Sequence, residues 1–303
     1  MTLDLYRAQL DRIRWLHGRA YAVEPLPGGL TNVNLKVTLP DRTVVVRIAQ
    51  PGSSLLAVDH GIEHVNSIAA FEAGVGAPVI DYLPEEGLMV VGYVEGRTFT
   101  EDDLRSGGQL GRVAAACRQL HQGPRFVNDF DMFVIQAGYL SVVQSRGFRL
   151  PSRYLEFQGH VDRIRAAFAV RPEETVPCNN DLLAGNFIDD GTKIWLIDYE
   201  YSGNNEACFE LGNIWSEADL SLDQLSELMT AYDGTLVRHR VARARLWGLM
   251  SKYGWTLWGS IQHAVSDIEF DFWGWAMEKY DRAVAEFDGP DFEELLEEVT
   301  RAD

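Results

Sequence analysis

The sequence predicts an α+β chain in two parts: a small antiparallel β-rich lobe over residues 1–95, then a mostly helical lobe over residues 96–303. Three observations carry this prediction. Val33, Leu35, Val37 and Leu39 alternate with polar residues, Pro40-Asp41 supplies a turn, and Thr43 to Ile48 is a β-branched run. Beyond Gly96 the apolar period changes to that of a helix, as at Leu110, Val113, Ala114, Cys117 and Leu120. The 303 residues, 46% hydrophobic and 24% charged, have globular composition and enough chain for a large core.

Taken in order, Tyr6, Leu10, Ile13 and Leu16 predict a helix over residues 3–17 that stops at Gly18. The hairpin of residues 33–48 follows. Ile62, Val65, Ile68 and Ala69 predict a second helix, and short strand-like runs lie at Pro78–Tyr82 and Leu88–Val94. Thr100 with Asp103 is an N-cap signal opening the helical part. One β exception is expected there, Asn186 to Ile197, where Asp190-Gly191 separates two short apolar runs. Ser221 restarts the helices ahead of Leu222, Leu225 and Leu228, and residues 241–287 are long, aromatic-rich and mostly helical in pattern. Asp288 to Asp303 reads as a solvated terminal helix, and no internal repeat interrupts the chain.

Charge narrows the function classes. With 27 Lys plus Arg against 45 Asp plus Glu the net charge is −18, so nucleic acid and anionic lipid surfaces are poor partners and a cationic small molecule is a good one. There is no apolar run long enough to span a bilayer and no signal-peptide pattern at the N-terminus, so no stable membrane insertion and a cytoplasmic location are expected. Cys117, Cys178 and Cys208 have neither disulfide-framework nor zinc spacing and are expected to be free thiols. Only His60 and His64, at i and i+4, approach a ligand spacing, and they lack a third partner.

The most informative stretch is Cys178-Asn179-Asn180-Asp181-Leu182-Leu183-Ala184-Gly185-Asn186, followed by the hairpin and Ile197-Asp198-Tyr199-Glu200. An acid, an amide five residues later and a second acid at the end of a hairpin strand are what phosphoryl transfer from Mg-ATP requires: one carboxylate for the hydroxyl proton, an amide and a carboxylate for magnesium. Upstream, Gly28-Gly29-Leu30-Thr31-Asn32 precedes the first hairpin strand, where glycines let backbone N–H groups approach phosphate. It fits neither the P-loop nor the Rossmann fingerprint. Arg47, in an otherwise apolar strand, is an edge-strand surface charge or a phosphate anchor, with Glu63 on the next helix as counter-charge. Five of the eight tryptophans lie between Trp247 and Trp275, and Trp255 and Trp258 are spaced i, i+3. Such a stripe is core packing or an alkylammonium cage.

Together these stretches resemble the choline and ethanolamine kinase family, relatives of the aminoglycoside phosphotransferases with a two-lobed protein-kinase-like fold. Leu120-His121 with Phe130-Asp131-Met132-Phe133, and Phe209-Glu210-Leu211-Gly212-Asn213, are similar to further family stretches. Most specific is Trp255-Thr256-Leu257-Trp258 with Trp275, which matches the aromatic lining of the family's choline pocket. The resemblance implies ATP and Mg2+ as cofactors and a small amino alcohol, choline or ethanolamine, as acceptor. It implies Asp181 as the hydroxyl-positioning acid or base, and Asn186 and Asp198 as magnesium ligands. Gly28, Gly29, Leu30, Thr31 and Asn32, with Arg47 and Glu63, would hold the ATP phosphates, and the segment of Tyr93 and Val94 the adenine. Trp255, Trp258, Trp275, Glu200 and Glu217 would face the acceptor.

The sequence departs from the family at two positions. Asn179 stands where the catalytic loop usually carries histidine; its amide N–H is expected to replace the histidine's bond to backbone near Asp198. Glu210 stands where Asp is usual. The last cage aromatic is sought near residues 215–222, with Trp215 and Glu217 as candidates, and a missing wall would favour ethanolamine over choline. Phosphorylation of another cationic molecule, or silent choline binding, are the alternative functions.

Overall fold

In the computed structural model, which describes residues 6–49, 53–106 and 108–301, the N-terminal part is built on five antiparallel strands. These are β1 (Ala22–Leu26), β2 (Asn32–Thr38), β3 (Thr43–Ala49), β4 (Val79–Leu83) and β5 (Leu88–Gly92), in the order β1-β2-β3-β5-β4. Pairing sets Leu35 opposite Val46 and Val37 opposite Val44, so one face of the hairpin is wholly apolar and buried. Because side chains alternate across a strand, Val45 and Arg47 face the other way, with Asn34 opposite Arg47. Strand β3 is central, which removes the edge-strand explanation of Arg47.

Tyr6, Leu10, Ile13 and Leu16 cover the apolar face, as their spacing suggests, but not as one helix. The described residues form α1 (Arg7–Leu10) and a 3₁₀ turn at Arg14–Leu16, with Ile13 extended between them; residues 3–5 of the expected helix lie outside the described residues. A stretch this short has little helical cooperativity of its own, and burial against the sheet dictates its path. Strand β1 was not expected from the sequence: it lies at the sheet edge, where Pro25 is tolerated.

Helix α2 (His60–Glu72) is capped by Asp59, whose carboxylate accepts from the N–H groups of Gly61 and Ile62. The C-terminal part contains α3 (Glu101–Arg105), α4 (Leu110–His121), α5 (Met132–Arg146), α6 (Gln158–Val170), α7 (Ala207–Glu217), α8 (Leu222–Asp233), α9 (Arg238–Val265), α10 (Phe272–Phe287) and α11 (Phe292–Glu298). Both expected caps form, as capping boxes of Thr100 with Asp103 and of Ser221 with Gln224. Helix α9 packs on α5, α7 and α10 and is buried over most of its length, and its buried polar residues are paired, Arg243 with Glu206, Lys252 with Glu286 and Gln262 with the Leu30 carbonyl. Despite its 28 residues, no described helix is long and apolar enough to cross a membrane.

More strand structure occurs here than the sequence suggests. The expected hairpin, β8 (Phe187–Asp189) with β9 (Ile194–Leu196), is joined by β6 (Arg97–Thr98), and β7 (Thr175–Cys178) pairs with β10 (Gly203–Glu206). Gly203-Asn204-Asn205-Glu206 has almost no β propensity. It is held extended by tertiary bonds, the Asn204 amide donating to the carbonyl oxygens of Phe126 (2.9 Å) and Asn128 (2.7 Å).

Candidate active site

Between the sheet and the helical part lies a cleft of about 460 Å³, within the range of a drug-sized or nucleotide-sized ligand. Gly28, Gly29, Val45, Arg47, Glu63, Met89, Tyr93, Val94 and Asp198 all line it. Gly28 has φ +102°, which only glycine adopts without strain, and a Cβ on Gly29 would strike the Asn32 carbonyl oxygen. Arg47 Nη2 lies 2.8 Å from Glu63 Oε1 and 2.7 Å from Asp198 Oδ1. Burial opposes charge on both members of the first pair, yet the carboxylates of Asp198 and Glu63 hold Arg47 protonated, and Arg47 with His60 holds Glu63 below the usual carboxylate range.

The loop after β7 carries Asp181. Glu210, on α7, accepts from the backbone N–H groups of Asn179 (3.0 Å) and Asn180 (2.6 Å), doing the work its sequence position suggests. Asn179 Nδ2 donates to the carbonyl oxygens of Ile197 (3.1 Å) and Asp198 (2.8 Å), while its Oδ1 accepts from the Asp181 N–H (3.1 Å). Asn180 and Asp198 both have positive φ, +67° and +64°, a local strain that these bonds maintain. His121 and Cys178 lie beneath the loop beside Glu210, and all three cysteines are free and buried. Burial and the neighbouring Glu210 push the Cys178 thiol up, so it is a protonated donor, directed at the Asn205 carbonyl.

Asp181 opens on a second, smaller cavity of about 100 Å³, room for roughly seven to ten water-sized atoms. Trp255 and Trp258 of α9, Trp275 of α10, Tyr201, Glu200 and Glu217 line it, as do Leu30 and Thr31. Trp258 and Trp275 meet edge to face at 5.2 Å, as do Tyr201 and Trp255 at 5.0 Å. Trp258 Nε1 donates to Tyr201 Oη (2.8 Å). Glu200 is engaged already: Thr31 Oγ1 and Asn32 Nδ2 donate to its carboxylate at 2.7 Å each, joining the glycine-rich loop to the helical part. The five loop residues therefore divide, with Gly28 and Gly29 on the larger cleft, Leu30 and Thr31 on the smaller cavity, and Asn32 buried.

The two cavities share Gly28, Leu183, Asn186 and Asp198 as a common wall. Asn186 Nδ2 donates to the Asp181 carbonyl (2.7 Å), leaving Oδ1 as its acceptor arm. Burial, with Asp198 and Glu217 nearby, pushes the Asp181 carboxyl well above the usual carboxylate range, and burial beside Asp198 does the same to Glu200. This excess of carboxylate oxygen, with one amide oxygen, is a donor set suited to a hard divalent cation such as magnesium.

The choline/ethanolamine kinase family model matches residues 23–236, well over half of the chain. The chain belongs to the choline/ethanolamine kinase family. A family protein from Mesorhizobium loti has a structure that matches at TM-score 0.87 with 31% identity, over 99% of each chain. The LicA protein of Haemophilus influenzae is 25% identical over 84% of this chain and 77% of its own. A LicA structure in complex with AMP shares the fold at TM-score 0.75 and 18% identity, over 94% of this chain and 97% of that one. This family comprises phosphotransferases with an alcohol group as acceptor, and an aminoglycoside phosphotransferase solved with streptomycin and ATP shares the fold at TM-score 0.61 and 12% identity, over 97% of this chain and 98% of that one.

Against the choline/ethanolamine kinase pattern, the structure supplies one residue that the sequence reading missed. Tyr201, not Trp215, is the fourth aromatic of the small cavity; Trp215 points instead to Lys252, whose Nζ is 4.2 Å from its ring centre. The signal was Tyr201's place three residues after Asp198, in the turn that leads into β10.

Proposed function

We propose that this protein transfers the γ-phosphoryl group of ATP to the hydroxyl of a small amino alcohol, with choline the preferred acceptor over ethanolamine. The observation that carries this is the shared wall. A nucleotide-sized cleft and a small aromatic, acidic cavity meet at Asn186 and Asp198, so a phosphoryl group passing between them crosses the carboxylate cluster. Residues 1–95 form the nucleotide lobe and residues 96–303 the lobe of catalysis and acceptor binding.

In this reading Asp181 orients the acceptor hydroxyl and accepts its proton, a role that its raised proton affinity suits. Arg47, fixed by Glu63, faces the β- and γ-phosphates, and Gly28 and Gly29 offer backbone N–H groups. Tyr93 and Val94 line the adenine end of the cleft. Asn186 and Asp198 would hold Mg2+, which neutralises charge developing on the transferred group. Trp255, Trp258, Trp275 and Tyr201 surround the alkylammonium head, whose attraction to ring faces is about 0.5–2 kcal/mol per contact. Four aromatic walls favour a trimethylated head group. The bonds Asn179 makes in place of histidine favour an active enzyme over a silent binding protein.

Coupled ADP release with Mg-ATP, read against choline, ethanolamine and buffer alone, tests this. Turnover above the buffer rate with choline exceeding ethanolamine is expected; equal rates in all three refute the acceptor assignment.

A further inference from the structure

The acceptor cavity already has a cation behind it. Lys279, on α10 one turn after Trp275, is 4% exposed. Its Nζ sits 2.5 Å from Glu217 Oε2 and 4.4 Å from the centre of the Trp275 ring. Two of the groups that would attract an alkylammonium, one carboxylate and one indole, are thus engaged by the chain's own ammonium. The Glu217 side chain is 6% exposed, and its second oxygen, Oε1, is buried with no hydrogen-bond partner among the described residues. Glu217 lines the cavity itself.

Building on the acceptor reading above, we propose that Lys279 is a specificity-setting residue: a built-in counter-ion that lowers the pocket's affinity for cationic acceptors by competing with them for Glu217 and Trp275. The physical basis is charge. A fixed ammonium next to the pocket repels a second one, and in a water-poor cavity that repulsion is weakly screened. It also neutralises the carboxylate that would otherwise face the acceptor. A neutral molecule of the same shape meets neither effect, so the residue acts on the acceptor's charge and not on its size. Lys279 touches no reacting atom; it acts through Glu217 and Trp275. Lys279 thus holds one oxygen of Glu217, while Oε1 makes no hydrogen bond among the described residues.

The test is equilibrium binding, read by intrinsic tryptophan fluorescence in the presence of Mg2+ and a non-hydrolysable ATP analogue. Choline is compared with 3,3-dimethylbutan-1-ol, in which carbon replaces the charged nitrogen. Lys279→Met, and Lys279→Gln as a second variant that keeps a hydrogen bond to Glu217, are measured beside the unaltered protein. Both variants are expected to bind choline roughly 2- to 30-fold more tightly, the factor that corresponds to about 0.5–2 kcal/mol, with the neutral analogue changed less than about twofold. Adding Glu217→Gln to Lys279→Met should abolish the gain. Equal shifts for choline and its neutral analogue would mean Lys279 only shapes the pocket, and unchanged or weaker choline binding in both variants, or none in any protein, would overturn the proposal. Because binding is read without turnover, absence of ADP release in the unaltered protein would count against the kinase reading separately.

Discussion

The side-chain amide of Asn179 donates to the carbonyl oxygen of Asp198 at 2.8 Å, tying the loop that carries Asp181 to the segment that carries the second acid. The same amide reaches the Ile197 carbonyl, and its oxygen receives the Asp181 N–H. One uncharged residue therefore fixes both carboxylates, where a histidine in its place would offer fewer bonds and a titratable ring.

Replacing that amide should slow chemistry without weakening binding. Asn179→Ala removes bonds of about 1 kcal/mol each, so kcat is expected to fall roughly tenfold or more with KM for ATP nearly unchanged. Asn179→His should recover part of the loss. Steady-state kinetics decide it: a variant that loses only ATP affinity would show that the tie serves the nucleotide cleft instead.

Asp181 faces the small cavity and not the nucleotide cleft. Asp181→Asn is expected to reduce kcat by roughly 10²- to 10⁴-fold while nucleotide binding, measured by calorimetry, stays within about twofold. Retained turnover would assign proton transfer elsewhere.

Trp258 contributes a ring face and a hydrogen bond to Tyr201. Trp258→Ala should raise KM for choline by roughly 2- to 30-fold, through a lost contact of about 0.5–2 kcal/mol, and leave KM for ATP unaltered. Trp258→Phe, which keeps a ring, should fall between. A matched rise in both KM values would indicate a collapsed fold.

How much of this was legible in the sequence depends on what fixes each feature. Local rules fix the β2–β3 hairpin and the caps at Thr100 and Ser221, and those were read correctly. Long-range contacts fix β7 with β10, and no propensity announces Gly203-Asn204-Asn205-Glu206 as a strand. The same division runs through the site. Asp181, Asn186 and Asp198 stand at telling spacings, and all three line the small cavity. Tyr201 replaces Trp215 because Trp215, on α7, is turned toward Lys252, and side-chain direction on a helix is set by what packs against it. Lys279 carries no sequence signal at all, since its partner Glu217 lies on a different helix.

Acid should destabilise the protein through specific carboxylates. Hydrogen bonds from Arg97 and Thr100 hold Asp103 down at about 2, and those from Arg112 and Gly191 hold Asp189 at about 2. Both lie below the unfolded value of about 3.9, so the native state binds fewer protons than the unfolded chain in this range. Their contribution is complete above about pH 4 and is lost as pH falls toward 2. Thermal melting at pH 6, 4, 3 and 2 should show a declining Tm, with Arg112→Ala lower at pH 6 and the gap to the unaltered protein narrowing below pH 4 and smallest at pH 2. Parallel curves would contradict the assignment.

On the proposed function, the γ-phosphoryl group reaches an amino-alcohol hydroxyl through the wall of Asn186 and Asp198. Phosphorus NMR of a reaction holding Mg-ATP with equal choline and ethanolamine measures this directly. A phosphomonoester resonance is expected to grow as the γ-phosphate resonance declines, with phosphocholine the larger product, and neither change is expected in Asp198→Ala. ATP consumed to inorganic phosphate alone, or the same products formed by Asp198→Ala at the unaltered rate, would contradict that function.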